Sequence, residues 1–364
     1  MRIAHVVCSV CCLALGLYAW GQAPTTLAQL QAEALAHNPG LSARHSAWRA
    51  ARAAIAPAGT LPDPQAEVQQ MSMHSPVPLA GFSGNMMSYI GVGASQALPY
   101  PGKLKLRAAV ATSAADTQQQ RWRQARRQLR ARIADAYITL QQGCAVHQVL
   151  LEQQEALAQV EKLAELRYRT ARSPQADVLA AQLEQTKLLR DLARNQDLRN
   201  SAQARLRALL NRGPDTPAVV PEPLRETQAR EPEARILAAL DNSDVALAVQ
   251  RARLSGTQQA TALARKNFNP DFSAQFMWEH TAAAFPDRYM ITLGMSLPFF
   301  HRQSRQEPEL ERAAALQAAA QAQLQQIGLQ DRDRLTEALL AVQSDEQILT
   351  IDQQGALPQA RLAQ

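Results

Sequence analysis

Met71, Met73 and His74 stand close together, and Met86 and Met87 follow a short way on. Thioether sulfur and imidazole nitrogen are soft ligands that suit Cu(I), and positions 71 and 73 share a face if the segment is a strand. Methionines on such strands are more often packing than ligands, so these three residues are soft-ligand candidates and no metal is assigned. Other chemistry is sparse. The chain has no His-x-x-x-His or Cys-x-x-Cys pattern, no phosphate-cradling glycine loop, and no spaced Ser, His and Asp set. Its carboxylates are scattered among arginines on helical stretches, where they form solvated pairs. No catalytic residue and no cofactor is assigned, and the expectation is a protein that is not an enzyme.

The composition suits long packed rods better than thick interiors. Of 364 residues, 46% are hydrophobic and only 5% aromatic. Ala and Leu dominate the apolar share beside abundant Gln, Arg and Glu, a balance that favours helices packed along narrow seams. The formal charge of +6 comes from arginines interleaved with acids and glutamines. With no basic stripe or aromatic platform, nucleic acid is excluded as a partner.

The N-terminus reads as a targeting segment. Arg2 and His5 precede an apolar run from Val6 to Leu17, and Gly21-Gln22-Ala23 offers a cleavage site. Residues 1–23 are therefore expected to be a signal peptide, taking Cys8, Cys11 and Cys12 with them. Cys144 then stands alone and makes no disulfide framework. Beyond Ala23 no stretch approaches the 18 or more apolar residues of a membrane helix. If this exported chain crosses a membrane, it does so with strands.

A long internal repeat organises the rest. "LEQQEALAQ" at 151–159 matches "IDQQGALPQ" at 351–359 at an offset of 200, and Leu98-Pro99 recurs as Leu297-Pro298 at an offset of 199. Leu61-Pro62-Asp63 likewise answers Asn269-Pro270-Asp271. A repeat of this length is a duplicated supersecondary block, not a solenoid unit. Each copy opens with a helix: Leu27 to Ile55, interrupted at His37-Asn38-Pro39, and Ala234 to Lys266.

Between Pro-Asp and Leu-Pro the period changes from helical to alternating. Phe272, Ala274, Phe276 and Trp278 alternate with Ser273, Gln275, Met277 and Glu279. Tyr289, Ile291, Leu293, Met295 and Leu297 alternate with Met290, Thr292, Gly294 and Ser296, completing a hairpin with one apolar and one polar face. The first copy shows Ile90, Val92, Ala94 and Leu98 against Tyr89, Gly91, Gly93 and Ser95, with a weaker outgoing strand near Gln65 to Met73. Aromatic residues near the strand ends suit a membrane barrel. Four strands cannot close around a lumen, and an open edge in lipid leaves backbone groups unsatisfied. Either the sheet is soluble or several chains share one barrel.

After Leu98-Pro99 the stretch Tyr100-Pro101-Gly102 turns the chain. From Lys103 no proline intervenes before Pro174, which predicts a helix of about 70 residues extending roughly 100 Å. Leu129, Ile133, Ala136 and Leu140 recur at four and three as a coiled-coil seam requires, and Leu157, Val160 and Ala164 continue it. "YRTARSPQAD" at 168–177 marks a sharp reversal. A second helix follows to Asn211 and carries Leu179, Leu183, Leu189, Leu192, Leu206 and Leu209, and "RGPDTPAVVPEPL" then reads as a proline-rich linker.

These residues resemble the TolC-like outer-membrane efflux proteins over nearly the whole mature chain. The resemblance rests on the duplicated helix, strand, strand, helix order, the two Leu-Pro strand ends, "YPGK" at 100–103, and "RYRTARSPQADVL" at 167–179. "YPGK" is most similar to the heavy-metal cation branch. The resemblance implies an α+β, mainly α fold in which long coiled-coil helices form a periplasmic tunnel. Each chain would give four strands to a shared twelve-stranded barrel in a homotrimer in the outer membrane. It also implies a periplasmic adaptor and an inner-membrane pump as partners, docking at a hairpin tip that includes Arg167, Tyr168, Arg172, Ser173 and Asp177. Arg172 stands where that tip commonly has glycine.

The expected domains are a first efflux repeat at 24–211, a linker at 212–233 and a second repeat at 234–364. By the repeat offset Gln364 corresponds to Ala164, so the second repeat is expected to be incomplete, without its final helix. The function implied is passive transport of small molecules or metal cations through an exit duct of a tripartite or type I export system. The alternative is a periplasmic coiled-coil adaptor or scaffold without a barrel.

Overall fold

The computed structural model describes residues 24–72, 87–225, 244–281 and 286–356, with 232, 234–236, 238, 358 and 359. The expected signal peptide, Met73, His74, Met86 and much of the second half of the linker lie outside the described residues.

Helices α1 (Leu27–His37), α2 (Pro39–Ala53) and α3 (Ile55–Gly59) lead to strands β1 (Gln65–Met71) and β2 (Tyr89–Leu98). The long helices α4 (Lys103–Arg169) and α5 (Gln175–Leu210) follow. The second copy gives α6 (Val245–Lys266), β3 (Phe272–Thr281), β4 (Arg288–Met295) and α7 (Glu307–Ile351). A 3-10 turn at Pro298–His301 and a π-wound turn at Arg302–Gln306 lead into α7. The described chain forms two compact units. One takes the chain up to Ser42 and again from Ala125 to the linker; the other takes Ala43–Gln124 and the chain beyond the linker.

In the first unit α1 begins with a capping box, Thr26 and Gln29 each satisfying the other's backbone N–H. It ends where Pro39 removes a donor. The Asn38 side chain then accepts from Leu41 N and donates to the Leu209 carbonyl, so the break is capped from both sides. Leu30, Ala34, Ile133, Ala136, Leu140, Leu206 and Leu210 make the core. The expected seam Leu129, Ile133, Ala136 and Leu140 is buried as its spacing requires.

On α5 the buried residues Ala181, Leu188, Asn195 and Ala202 fall one heptad apart, which sets the other half of the seam. Gly143 lies where the two helices approach: a Cβ there would meet Arg199 Cγ at 2.8 Å. Nearer the tip the seam differs from the sequence reading. Val160 is exposed, and Glu161 turns inward to accept from Gln182 and Gln185. Leu179, Leu183 and Leu189 also point outward, because the seam passes through residues 181, 185 and 188 instead.

The start of the linker is pinned, not loose. Gln203 exchanges two hydrogen bonds with the Val219 backbone, and Arg212 forks onto Glu33 at 2.6 and 2.7 Å. The Tyr137 hydroxyl donates to the Thr25 carbonyl and accepts from Glu222 N. The hydrogen bonds and charge of Arg212 outweigh burial and hold the Glu33 carboxyl below its ordinary range.

In the second unit the four strands form one antiparallel sheet in the order β1-β2-β3-β4. The two copies therefore meet in its middle. Small residues let the helices approach closely: Gly256 faces Ser113, Gln250 Nε2 donates to the Ala320 carbonyl, and Thr261 Oγ1 donates to that of Ala313. Trp48 and Trp122 stack with ring centroids 5.7 Å apart and His45 packs against both at 5.5 Å, tying α2 to α4.

Asp244, the N-cap of α6, faces Asp331 on α7. Burial first, then the hydrogen bond and charge of Asp244, push the Asp331 carboxyl up to about 6, against the pull of Arg334. Between the ordinary value of 3.8 and about 6 the folded chain binds a proton that the unfolded chain has lost, so stability falls as pH rises through that window. Asp331→Asn is expected to raise stability by roughly 1–2 kcal/mol at pH 7.5 and to change little at pH 3.5. Thermal denaturation at the two pH values checks this.

Candidate functional site

The sheet has two chemically distinct faces, set by the strand period. Val68, Val92, Trp278 and Tyr289 stand directly opposite one another across all four strands on one face. Ile291 and Leu293 extend that face, and Val68, Ile291 and Leu293 are 78%, 73% and 79% exposed. So large an apolar patch left open marks a surface meant for lipid or another chain. The row on the other face runs Glu67, Gly93, Met277, Met290. There Glu67 accepts from Ser95 Oγ at 2.9 Å and from Gln275 Nε2 at 2.7 Å, and Arg288 pairs with Glu279. Gly93 is obligatory on this face, since a Cβ would stand 2.5 Å from the Phe276 carbonyl oxygen. The strand expected to be weaker, β1, is present and fully paired to β2 on one side. The outer edges of β1 and β4 have no strand partner among the described residues.

Where strand gives way to long helix, the two copies lock together. The Lys103 side chain, 3% exposed, donates to Asp271 Oδ1 at 2.8 Å and to the Asn269 carbonyl at 3.1 Å. Tyr100 N donates to the same carboxylate oxygen at 2.7 Å, and Asp271 N donates to Ser296 Oγ. Gly102 has φ +89, a left-handed turn that brings Lys103 to this point at no Cβ cost. Burial pushes the Asp271 carboxyl up, but the bonds from Lys103 and Tyr100 and the charges of Lys103 and Arg107 prevail and hold it below its usual range. "YPGK" and "NPD" are both visible in the sequence as motifs. Their meeting is not, because the strand pairing that brings them together joins residues 168 apart.

The hairpin tip holds the five expected docking residues within one reversal. Arg172 N donates to the Arg167 carbonyl and Ala171 N to that of Tyr168, closing α4 with a Schellman motif. The residue in the left-handed conformation is Ala171, with φ 52. The strain that glycine would relieve thus falls at 171 and not at Arg172. Ser173 hydrogen-bonds Asp177 in the first turn of α5, where a carboxylate also complements the helix dipole. Of the soft-ligand candidates, Met71 is opposite Tyr89 on the face that carries Glu67, while Met73 and His74 lie outside the described residues. The described residues hold no group of three or more His, Cys, Asp or Glu side chains placed for a metal.

The sequence model of the outer membrane efflux protein family matches residues 30–212. The chain belongs to this family. Solved structures show the same fold for this outer membrane efflux protein at low identity. VceC, an outer membrane protein of Vibrio cholerae, is 20% identical, with a TM-score of 0.75 over 93% of this chain and 83% of its own. CusC, described for its folding and transmembrane channel formation, is 18% identical, with a TM-score of 0.73 over 90% of this chain and 78% of its own. The CmeC outer membrane channel of Campylobacter jejuni is 13% identical, with a TM-score of 0.70 over 93% of this chain and 76% of its own. No curated protein matches the chain.

Two substitutions probe this geometry. Asp271→Ala leaves the Lys103 ammonium buried without its counter-charge, and a loss of about 3 kcal/mol in denaturant midpoint experiments is expected. Ala171→Gly removes a left-handed penalty, and a gain of about 1 kcal/mol is expected by the same measurement.

Proposed function

We propose that this chain is the outer-membrane exit duct of a tripartite efflux or type I export system. Three copies share one twelve-stranded barrel, and the long helices form a tunnel through the periplasm. The observation that carries this reading is the sheet: apolar on one face, polar on the other, with both outer edges open among the described residues. Strands of 7–10 residues suit a tilted crossing of a bilayer, and in lipid their free edges are satisfied only by closure with further strands. At 67 residues, α4 has a length of about 100 Å, far more than a bilayer needs. Family membership and fold both favour this reading over a soluble adaptor.

Transport through the duct is passive: selection belongs to the inner-membrane pump, and the polar face of the strands lines the path. Small molecules or metal cations are the cargo class, with Met71 on the lining side. A periplasmic adaptor docks at the tip through Arg167, Tyr168, Arg172, Ser173 and Asp177, and the two arginines offer charge to an acidic partner.

Membrane fractionation tests the reading. The protein is expected in the outer membrane, released only by detergent and conducting small solutes in liposomes; recovery as a folded, lipid-free monomer in buffer would refute it. Arg167→Glu with Arg172→Glu is expected to abolish adaptor capture from detergent extracts while leaving liposome conductance unchanged.

A further inference from the structure

The two copies repeat a sequence, and one of their two junctions is already closed within the chain. At that junction β2 lies antiparallel to β3, Leu98 opposite Phe272, and Lys103 reaches Asp271 just beyond the strand ends. The sequence repeat gives each participant a counterpart: Leu98-Pro99-Tyr100 corresponds to Leu297-Pro298-Phe299, Lys103 to Arg302, and Asp271 to Asp63. These counterparts belong to β4 and β1, the two strands whose outer edges are open. Asp63 is exposed and makes no hydrogen bond or ion pair among the described residues. Arg302, also exposed, has among the described residues a local pair with Glu307 at 3.1 Å and lies over the Phe268 ring. Phe299 and Phe300 beside it are 61% and 72% exposed.

We propose that Arg302 and the partner's Asp63 form the ion pair that closes each junction between copies of this chain, as Lys103 and Asp271 close the junction within it. The inference rests on the shared-barrel reading above and goes beyond it by naming the contact and the register. Laid on the partner's β1 as β2 lies on β3, β4 brings Leu293 opposite the partner's Val68, which joins the two most exposed apolar side chains of the sheet. Phe299 N takes the place of Tyr100 N as a second donor to the carboxylate. Charge complementarity supports the match: an arginine at one open edge meets an aspartate at the other, and the reverse stacking would set like edges together. The clamp is the second of two, alternating around a ring of three chains.

The test is a charge-reversal cycle on the full chain in detergent, in a Glu307→Gln background so that the local pair of Arg302 does not contribute. Asp63→Lys and Arg302→Glu are each expected to speed trimer dissociation, followed by native mass spectrometry, by roughly tenfold, the scale of one charge-assisted hydrogen bond. The double reversal restores an opposite-charge pair and is expected to recover most of that loss. Trimers in which the double variant dissociates as fast as the product of the two single effects would overturn the clamp and leave the shared barrel standing. A monomer for the unchanged chain would overturn the shared barrel and the clamp together.

Discussion

A β-strand at the edge of a sheet carries a row of backbone N–H and C=O groups that need partners, and here that requirement falls on two strands at once. β1 and β4 border a sheet whose outer face is too apolar for water and whose other face is too polar for lipid. In a bilayer no water reaches such an edge, and each unsatisfied group costs several kcal/mol. Adding helices over the edges would bury the wrong face. Extending the sheet with more strands of the same kind satisfies backbone and side chains together, and in the shared barrel proposed above those strands come from other copies.

The duplication makes that solution economical. Each copy supplies one hairpin and the helices attached to it, and the middle of the sheet, β2 against β3, is a contact between copies. In the shared barrel proposed above, whatever joins the two copies inside the chain serves as a template for joining chains. The junction is built from side chains fixed to the strand ends, Asp271 ahead of β3 and Lys103 at the head of α4. There the buried Lys103 ammonium donates to Asp271, which also accepts from Tyr100 N, and this multiply bonded pair holds the strand-to-helix turn more rigidly than apolar packing would.

Much of this was legible in the sequence. The strands, the start of α4 at Lys103, the seam from Leu129 to Leu140 and the reversal before Pro174 all follow from periodicity and from proline placement. The tip was legible only in part: glycine preference pointed to Arg172, whereas the Schellman geometry puts the left-handed residue one position earlier. Beyond Leu157 the apolar spacing misleads, because a glutamate does the packing there. Glu161 satisfies two glutamines across the hairpin, and a half-buried carboxylate in the seam leaves no hydrophobic period to read. The contacts among Lys103, Asp271, Tyr100 and Asn269 were invisible for another reason. They depend on which strand neighbours which, and alternation within a strand reports its faces but not its neighbours.

The polar face of the sheet bears on why such a duct would pass its cargo without holding it. Glu67 already accepts from the neutral Ser95 and Gln275 side chains, and Glu279 is paired with Arg288, so both carboxylates have partners within the sheet. A wall whose carboxylates already have hydrogen-bond partners would offer a solute weak, replaceable contacts, and release would then be as fast as entry. A binding site would need the opposite: carboxylates or thioethers left unpaired and converging. Gly91 and Gly93 let Met277 and Glu279 lie flat against β2. Pairing within the wall gives rigidity and low affinity at the same positions, and both are what a conduit requires.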